Sequence, residues 1–106
     1  MQLNYSQRIN LGNILPVRGN LVTMRISRDC RKKLELTQED MVTAEMEAEP
    51  TEDGAALKWN ADKEIPWDKE LTDAELGCIK DSLVKASKEE TLTDELLDLY
   101  DLFVVD

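Results

Sequence analysis

Three segments of this chain repeat apolar residues at helical spacing, and each opens on a residue suited to cap a helix. In 21–35, Val22, Ile26, Cys30 and Leu34 recur every four residues. In 73–88 the stripe is Leu76, Ile79, Leu83 and Ala86. In 94–103 it is Leu96, Leu99, Tyr100 and Phe103. Asn20, Thr72 and Thr93 stand immediately before these runs, and each has a side-chain oxygen able to accept a hydrogen bond from the first turn. Thr72-Asp73-Ala74-Glu75 has the reciprocal form, a Thr with Glu three residues on. Three striped helices must bury their stripes against one another or against a sheet, and this fixes most of what the chain can become.

The remaining segments are read by the same rules. Residues 4–15 predict a short helix stopped by Pro16, which has no N–H to continue it. Pro16-Val17-Arg18-Gly19-Asn20 is a turn. Thr37 is a further N-cap, with Glu39 and Asp40 in the first turn of whatever follows. From 41 to 49 the pattern alternates, with Val42, Ala44, Met46 and Ala48 against Thr43, Glu45, Glu47 and Glu49. Period two predicts a half-buried strand. Pro50-Thr51-Glu52-Asp53-Gly54 is a loop with a strong Asp-Gly turn signal, and 55–59 is the return strand of a hairpin. A third strand is expected at 64–67. The predicted order is α-α-β-β-(β)-α-α in one domain spanning 1–106. The fold class is α+β, with helices packed on one face of a small antiparallel β-hairpin or sheet.

Charge is divided unevenly along this frame. Residues 1–36 hold seven Lys/Arg and two Asp/Glu, a net of +5, and residues 37–106 hold six Lys and 21 acids, a net of −15. The whole chain carries −10, which argues against general binding to nucleic-acid phosphates. The opening Met1-Gln2-Leu3-Asn4-Tyr5 shows no basic segment followed by an apolar run, so no leader is expected. No apolar stretch approaches the ~20 residues that span a bilayer. With no His in the sequence, catalytic triads, Cys–His pairs and HExxH zinc sites are excluded in their usual form. Gly12, Gly19, Gly54 and Gly77 are isolated and form no phosphate loop. Cys30 and Cys78 fall on helical apolar faces and read as small buried hydrophobes.

Several segments resemble a family of small uncharacterised proteins of tailed phages and prophages. The pieces are Arg8…Leu15-Pro16-x-x-Gly19-Asn20 and Thr23-Met24-Arg25-Ile26-x-Arg28-x-x-Arg31, followed by Leu36-Thr37-Gln38-Glu39-Asp40. Trp59-Asn60, Lys63-Glu64-Ile65 and Leu92-Thr93-x-Glu95-x-Leu97-x-Leu99-Tyr100-x-x-Phe103 complete the series, in order over most of the chain. The resemblance implies a phage-type accessory protein acting in the bacterial cytoplasm. It carries no assigned chemistry, so no catalytic residue transfers. The chain departs from the pattern in a longer, more acidic hairpin around 45–53.

Two surfaces emerge as candidates. Glu45, Glu47, Glu49, Glu52 and Asp53 crowd one strand face and its loop. They either meet a basic protein or guard a sheet edge from pairing. Trp67, between Pro66 and Asp68, is the Trp expected to be exposed as a contact residue, whereas Trp59 is expected in the core. Arg25, Arg28 and Lys32 fall on the face of their helix opposite the apolar stripe, as an anion site or a solvated face. Asp94, Glu95, Asp98 and Asp101 lack the spacing of a calcium loop and read as a solvated helix face. The sequence thus points to a non-enzymatic protein that binds a host or phage protein, such as an inhibitor of a host or defence factor. The alternative is a protein that sequesters a nucleotide or other small anion. No cofactor, metal or membrane partner is expected.

Overall fold

The computed structural model describes residues 2–104. Four longer helices, α1 (Tyr5–Ile14), α2 (Leu21–Leu34), α4 (Asp73–Lys88) and α5 (Asp94–Phe103), surround one core. A short helix α3 (Gln38–Thr43) and a hairpin of β1 (Glu47–Thr51) and β2 (Gly54–Lys58) lie between α2 and α4. The α+β class and the order of helices and strands are as the sequence predicts.

The helix starts follow from their caps. Asn4, Asn20, Thr37, Thr72 and Thr93 each accept a hydrogen bond from the backbone N–H three residues on. At Asn4, Thr37 and Thr72 the residue three positions later also reaches back, closing a capping box. Helix α1 packs on α2, α4 and α5, and α4 also packs on α2 and α5. Leu11 and Leu15 meet Cys30 and Leu34 of α2, Ile79 and Leu83 of α4, and Leu99 and Phe103 of α5 in the core.

The α2 stripe is rotated from the one the sequence suggests. Ser27, Cys30 and Leu34 are buried, Ile26 is half-buried, and Val22 is 68% exposed. A strict four-residue recurrence drifts about 40° around the helix per step, so over three steps Val22 leaves the face that Leu34 occupies. Ser27 fills the vacated line and donates its hydroxyl to the Pro16 carbonyl at 2.7 Å.

The predicted strand over 41–49 is corrected. Its first part continues α3, and the strand begins only at Glu47. Ala44 is buried and Met46 half-buried, but Val42 and Ala48 are exposed. The alternation ran across a helix end and a strand start, and neither element has that period over the whole stretch. The join is made by Glu45, whose φ is 58°. Its N–H donates to Val42 O, and Met46 N–H donates to Met41 O, the pair of bonds that closes a helix on a left-handed residue.

The hairpin connection is tighter than the five-residue loop expected. Thr51 pairs with Gly54 across Glu52 and Asp53 alone. Gly54 takes φ 135°, where a side chain is strained. The third strand at 64–67 does not form. Ile65 N–H donates to the Tyr5 hydroxyl at 3.1 Å, and Pro66 has no N–H to give, so this stretch has no ladder to join. It runs as an extended strap after a 3₁₀ turn at Ala61–Lys63.

Nor do the helices cover the hairpin. Every residue of β1 and β2 is exposed, and the two strands pack on each other rather than on a helix. The helices bury their stripes against one another and not against the sheet. The radius of gyration, 14.4 Å, exceeds the ~13 Å of a compact chain of this length, as a projecting ribbon requires.

Helix α4 ends as α3 does. Glu90 has φ 58°, its N–H donates to Ser87 O, and Thr91 N–H donates to Ala86 O. A Glu in this conformation carries strain of about 1–2 kcal/mol that Gly lacks. Replacing Glu90 with Gly is therefore expected to raise stability by about 1 kcal/mol, after the extra chain entropy that Gly loses on folding. Urea unfolding followed by far-UV circular dichroism checks this.

Candidate functional site

Two surfaces stand out, and between them lies a buried polar joint that sequence reading missed. The first surface is the hairpin. Its register, with Glu47 opposite Lys58 and Glu49 opposite Ala56, puts Glu47, Glu49 and Thr51 on one face. The other face carries Ala48 and Pro50 opposite Leu57 and Ala55. The ribbon is thus amphipathic, and its apolar face is open: Leu57 is 52% exposed. Glu52 and Asp53 form the tip. Of the five candidate acids, two have partners. Glu45 accepts from Lys63 Nζ at 2.8 Å, and Glu49 lies 3.4 Å from Lys58 Nζ. Glu47, Glu52 and Asp53 pair with no cation among the described residues. Glu45 is outside the strand and so does not share its face.

The second surface lies on α2. Arg25, Arg28 and Lys32 are exposed, as the spacing predicts. Arg28 and Lys32, joined by the half-buried Arg31, line a groove between α1 and α2. Arg25 lies outside that groove.

Trp67 is not on either surface. It is 4% exposed in the core, and its indole Nε1 donates to the Lys33 carbonyl at 2.8 Å. The expectation of an exposed contact residue is corrected. The strap carrying Trp67 is held against the helices by its own hydrogen bonds, so an irregular stretch still delivers a core anchor. Trp59 is half-buried, with its ring centroid 6.3 Å from that of Tyr5 and its Nε1 donating to Glu64 at 2.8 Å.

The joint centres on Arg8, to which the sequence alone gave no structural role. Its Nε donates to Leu34 O at 3.1 Å and its Nη2 to Glu35 O at 2.7 Å. Nη2 also lies 3.3 Å from Asp40 Oδ2. The guanidinium sits 5.5 Å from the centre of the Tyr5 ring. The Tyr5 hydroxyl donates to Asp40 O at 3.0 Å. Both Arg8 and Asp40 are buried. The signal for this joint was slight: a basic residue on the same helical turn as Tyr5, and an Asp in the capping box begun by Thr37. A second pair, Lys33 with buried Glu75 at 2.6 Å, ties α2 to the start of α4.

These carboxyls are perturbed for structural reasons. Burial pushes the Asp40 pKa up, but hydrogen bonds from Thr37 and the charge of Arg8 outweigh it and hold the value below the ordinary one. Glu75 is likewise pushed up by burial and brought below normal by Lys33 and the Thr72 bonds. Burial, reinforced by the Glu75 charge, raises the Cys30 thiol to about 12, and burial also raises Cys78. Both cysteines are free and poor in thiolate at neutral pH. Among the described residues no group of three or more Cys, Asp or Glu side chains is arranged to hold a metal ion, and Asp94, Glu95, Asp98 and Asp101 form no such cluster. No helix among them is long and apolar enough to cross a membrane. Comparison with protein-family models, curated protein sequences and solved structures finds no match to this chain.

The depressed pKa values set an acid limit. A carboxyl with a lowered folded pKa contributes stability above its unfolded value, and that contribution is lost as pH falls through the folded value. Starting from ordinary values of 3.8 for Asp40 and 4.5 for Glu75, stability is expected to fall as pH drops below about 4.5. Asp40→Asn leaves the Arg8 guanidinium buried without its counter-charge. It is expected to cost about 3 kcal/mol at pH 7 and to flatten the acid limb. Urea titrations of both proteins from pH 7 to pH 3 measure the two effects together.

Proposed function

We propose that this chain is a non-enzymatic accessory protein that binds one basic protein partner through its hairpin. The supporting observation is the ribbon's open apolar face, Ala48, Pro50, Ala55 and Leu57, which nothing among the described residues covers. A two-stranded ribbon alone is marginally stable in water, and a partner on that face supplies the packing it lacks. The charge around it selects the partner. Residues 45–58 hold five acids against Lys58 alone, and Glu47, Glu52 and Asp53 form no ion pair among the described residues. Such a field speeds encounter with a basic surface and repels acidic ones.

The resemblance of the chain's segments to phage proteins supports a host or phage protein in the bacterial cytoplasm as the partner. A basic surface occupied by the ribbon is closed to the anions it otherwise binds, which is how an inhibitor of a host or defence factor acts. No reacting group argues for catalysis: the thiols are protonated, His is absent, and the perturbed carboxyls are tied up in structural pairs.

The test uses the full chain and two variants. Glu47→Gln/Glu52→Gln/Asp53→Asn removes unpaired charge, and Leu57→Asp spoils the apolar face. Both are expected to keep the wild-type circular dichroism and unfolding midpoint, because no core residue is touched. Wild type should capture a stoichiometric basic protein from bacterial lysate. The charge variant should associate with it more slowly and with a flatter salt dependence, and Leu57→Asp should lose it. Equal capture by all three proteins would remove the hairpin as the binding surface. Self-association of the charge variant without any partner would assign the acids to edge protection instead.

A further inference from the structure

The groove between α1 and the C-terminal half of α2 holds charge that the fold does not use. Its volume is about 370 Å³. Ile9, Gly12, Leu34 and Leu36 line it together with Arg28, Arg31 and Lys32. None of these three cations pairs with a carboxylate among the described residues. Arg8, at the inner side, is committed to Asp40. Glu35 is the one acid of the lining, so the groove stays positive.

This is unexpected in a chain with 23 acids and 13 basic residues, where carboxylates to neutralise the cluster are abundant. Like charges three and four residues apart on a helix repel one another. A bound anion relieves that repulsion; the fold itself does not.

Gly12 is an independent observation. It lies inside α1, where Gly is about 1 kcal/mol less favourable than Ala. A Cβ at this position would meet nothing within 4 Å, and its φ is not positive, so neither packing nor backbone conformation calls for Gly. Gly12 lines the groove, so a larger side chain at this position would narrow it.

From these observations we infer that the groove binds a phosphorylated small molecule of about mononucleotide size. Arg28, Arg31 and Lys32 hold its phosphates, and its apolar or aromatic part lies over Ile9, Gly12 and Leu36. Guanidinium groups match phosphate oxygens in paired, charge-assisted hydrogen bonds. The volume falls at the lower end of small-molecule sites. A nucleic-acid strand is disfavoured, because the chain's net charge of −10 repels a polyanion that extends beyond the groove. The groove shares no residue with the hairpin, so this site and the protein-binding surface stand or fall separately.

The probes are ATP, pyrophosphate and adenosine, titrated into the full chain by calorimetry and by amide chemical shifts. ATP is expected to bind one-to-one with shifts centred on α1 and α2, pyrophosphate more weakly, and adenosine not measurably. Arg28→Gln/Lys32→Gln, both exposed, should weaken ATP binding at least about tenfold with folding unchanged. Gly12→Leu should abolish binding while the melting temperature holds or rises. Arg25→Gln, on the same helix but outside the groove, should bind as wild type does. The inference is overturned by an absence of saturable ATP binding at millimolar concentration, or by undiminished binding in Gly12→Leu. It is also overturned if pyrophosphate equals ATP, which removes the apolar subsite, or if polyglutamate binds the groove and ATP does not, which makes it a protein-docking surface.

Discussion

The guanidinium of Arg8, on α1, joins the end of α2 to the first turn of α3. The last carbonyls of a helix have no partner within it, and at the end of α2 those of Leu34 and Glu35 receive Arg8. The Lys33 carbonyl just before them receives the indole of Trp67. A cation at a helix C-terminus is also favoured by the helix dipole. The same guanidinium meets Asp40 in the first turn of α3, where a carboxylate is favoured by the opposite end of a dipole. Burying an unpaired cation would cost several kcal/mol, so the site is stable only with its partners in place. They are supplied from three elements at once, which fixes α1, the end of α2 and the start of α3 relative to one another.

The strap over 59–71 depends on that joint. Tyr5, whose ring faces Arg8, donates its hydroxyl to Asp40 and accepts from Ile65 N–H. Its backbone N–H donates to Glu64, whose other oxygen accepts from Trp59. The base of the hairpin is tied in next to it, where Asn60 N–H donates to Ala44 O at 2.8 Å. Polar satisfaction, more than apolar burial, therefore determines where the ribbon leaves the body. This accounts for an extended chain beside a helical core without a third strand.

What was legible in the sequence, and what was not, follows from the range of the forces involved. Four N-caps, at Asn20, Thr37, Thr72 and Thr93, could be read because a cap is decided within three residues. The stripes of α4 and α5 could be read because those helices bury one face for most of their length. Helix α2 misled because its first turns overhang the core, leaving Val22 without a partner to pack on. The alternation from 41 to 49 misled because its first third belongs to a helix that is only six residues long. Trp67 misled because its burial is set by the carbonyl of Lys33, 34 residues earlier in the chain. The acids of the hairpin and the cations of α2 were legible as surfaces, since charge without a partner stays in water. The groove beside Arg28 was not, because it needs α1 laid against α2. Nor was the open apolar face of the ribbon, because an alternating strand reads the same whether or not anything covers it.

The two surfaces differ in how they are coupled to the fold. The groove is built from α1 and α2, the helices that Arg8 locks together, so its geometry is as rigid as the core. The hairpin is tied to the body at its base, where Asn60 N–H donates to Ala44 O, and none of its strand residues belongs to the core. Rigid placement suits a small anion, whose few oxygens must find fixed donors. A tethered amphipathic ribbon suits a protein surface, where a broad face must adjust before it packs. The ribbon carries Glu47, Glu49, Glu52 and Asp53 outward against Lys58 alone, and the groove on the helical body sets Arg28, Arg31 and Lys32 against Glu35 alone. A partner or ligand reaching either surface therefore meets a local field dominated by one sign, neutralised on the ribbon only in part, where Lys58 pairs with Glu49.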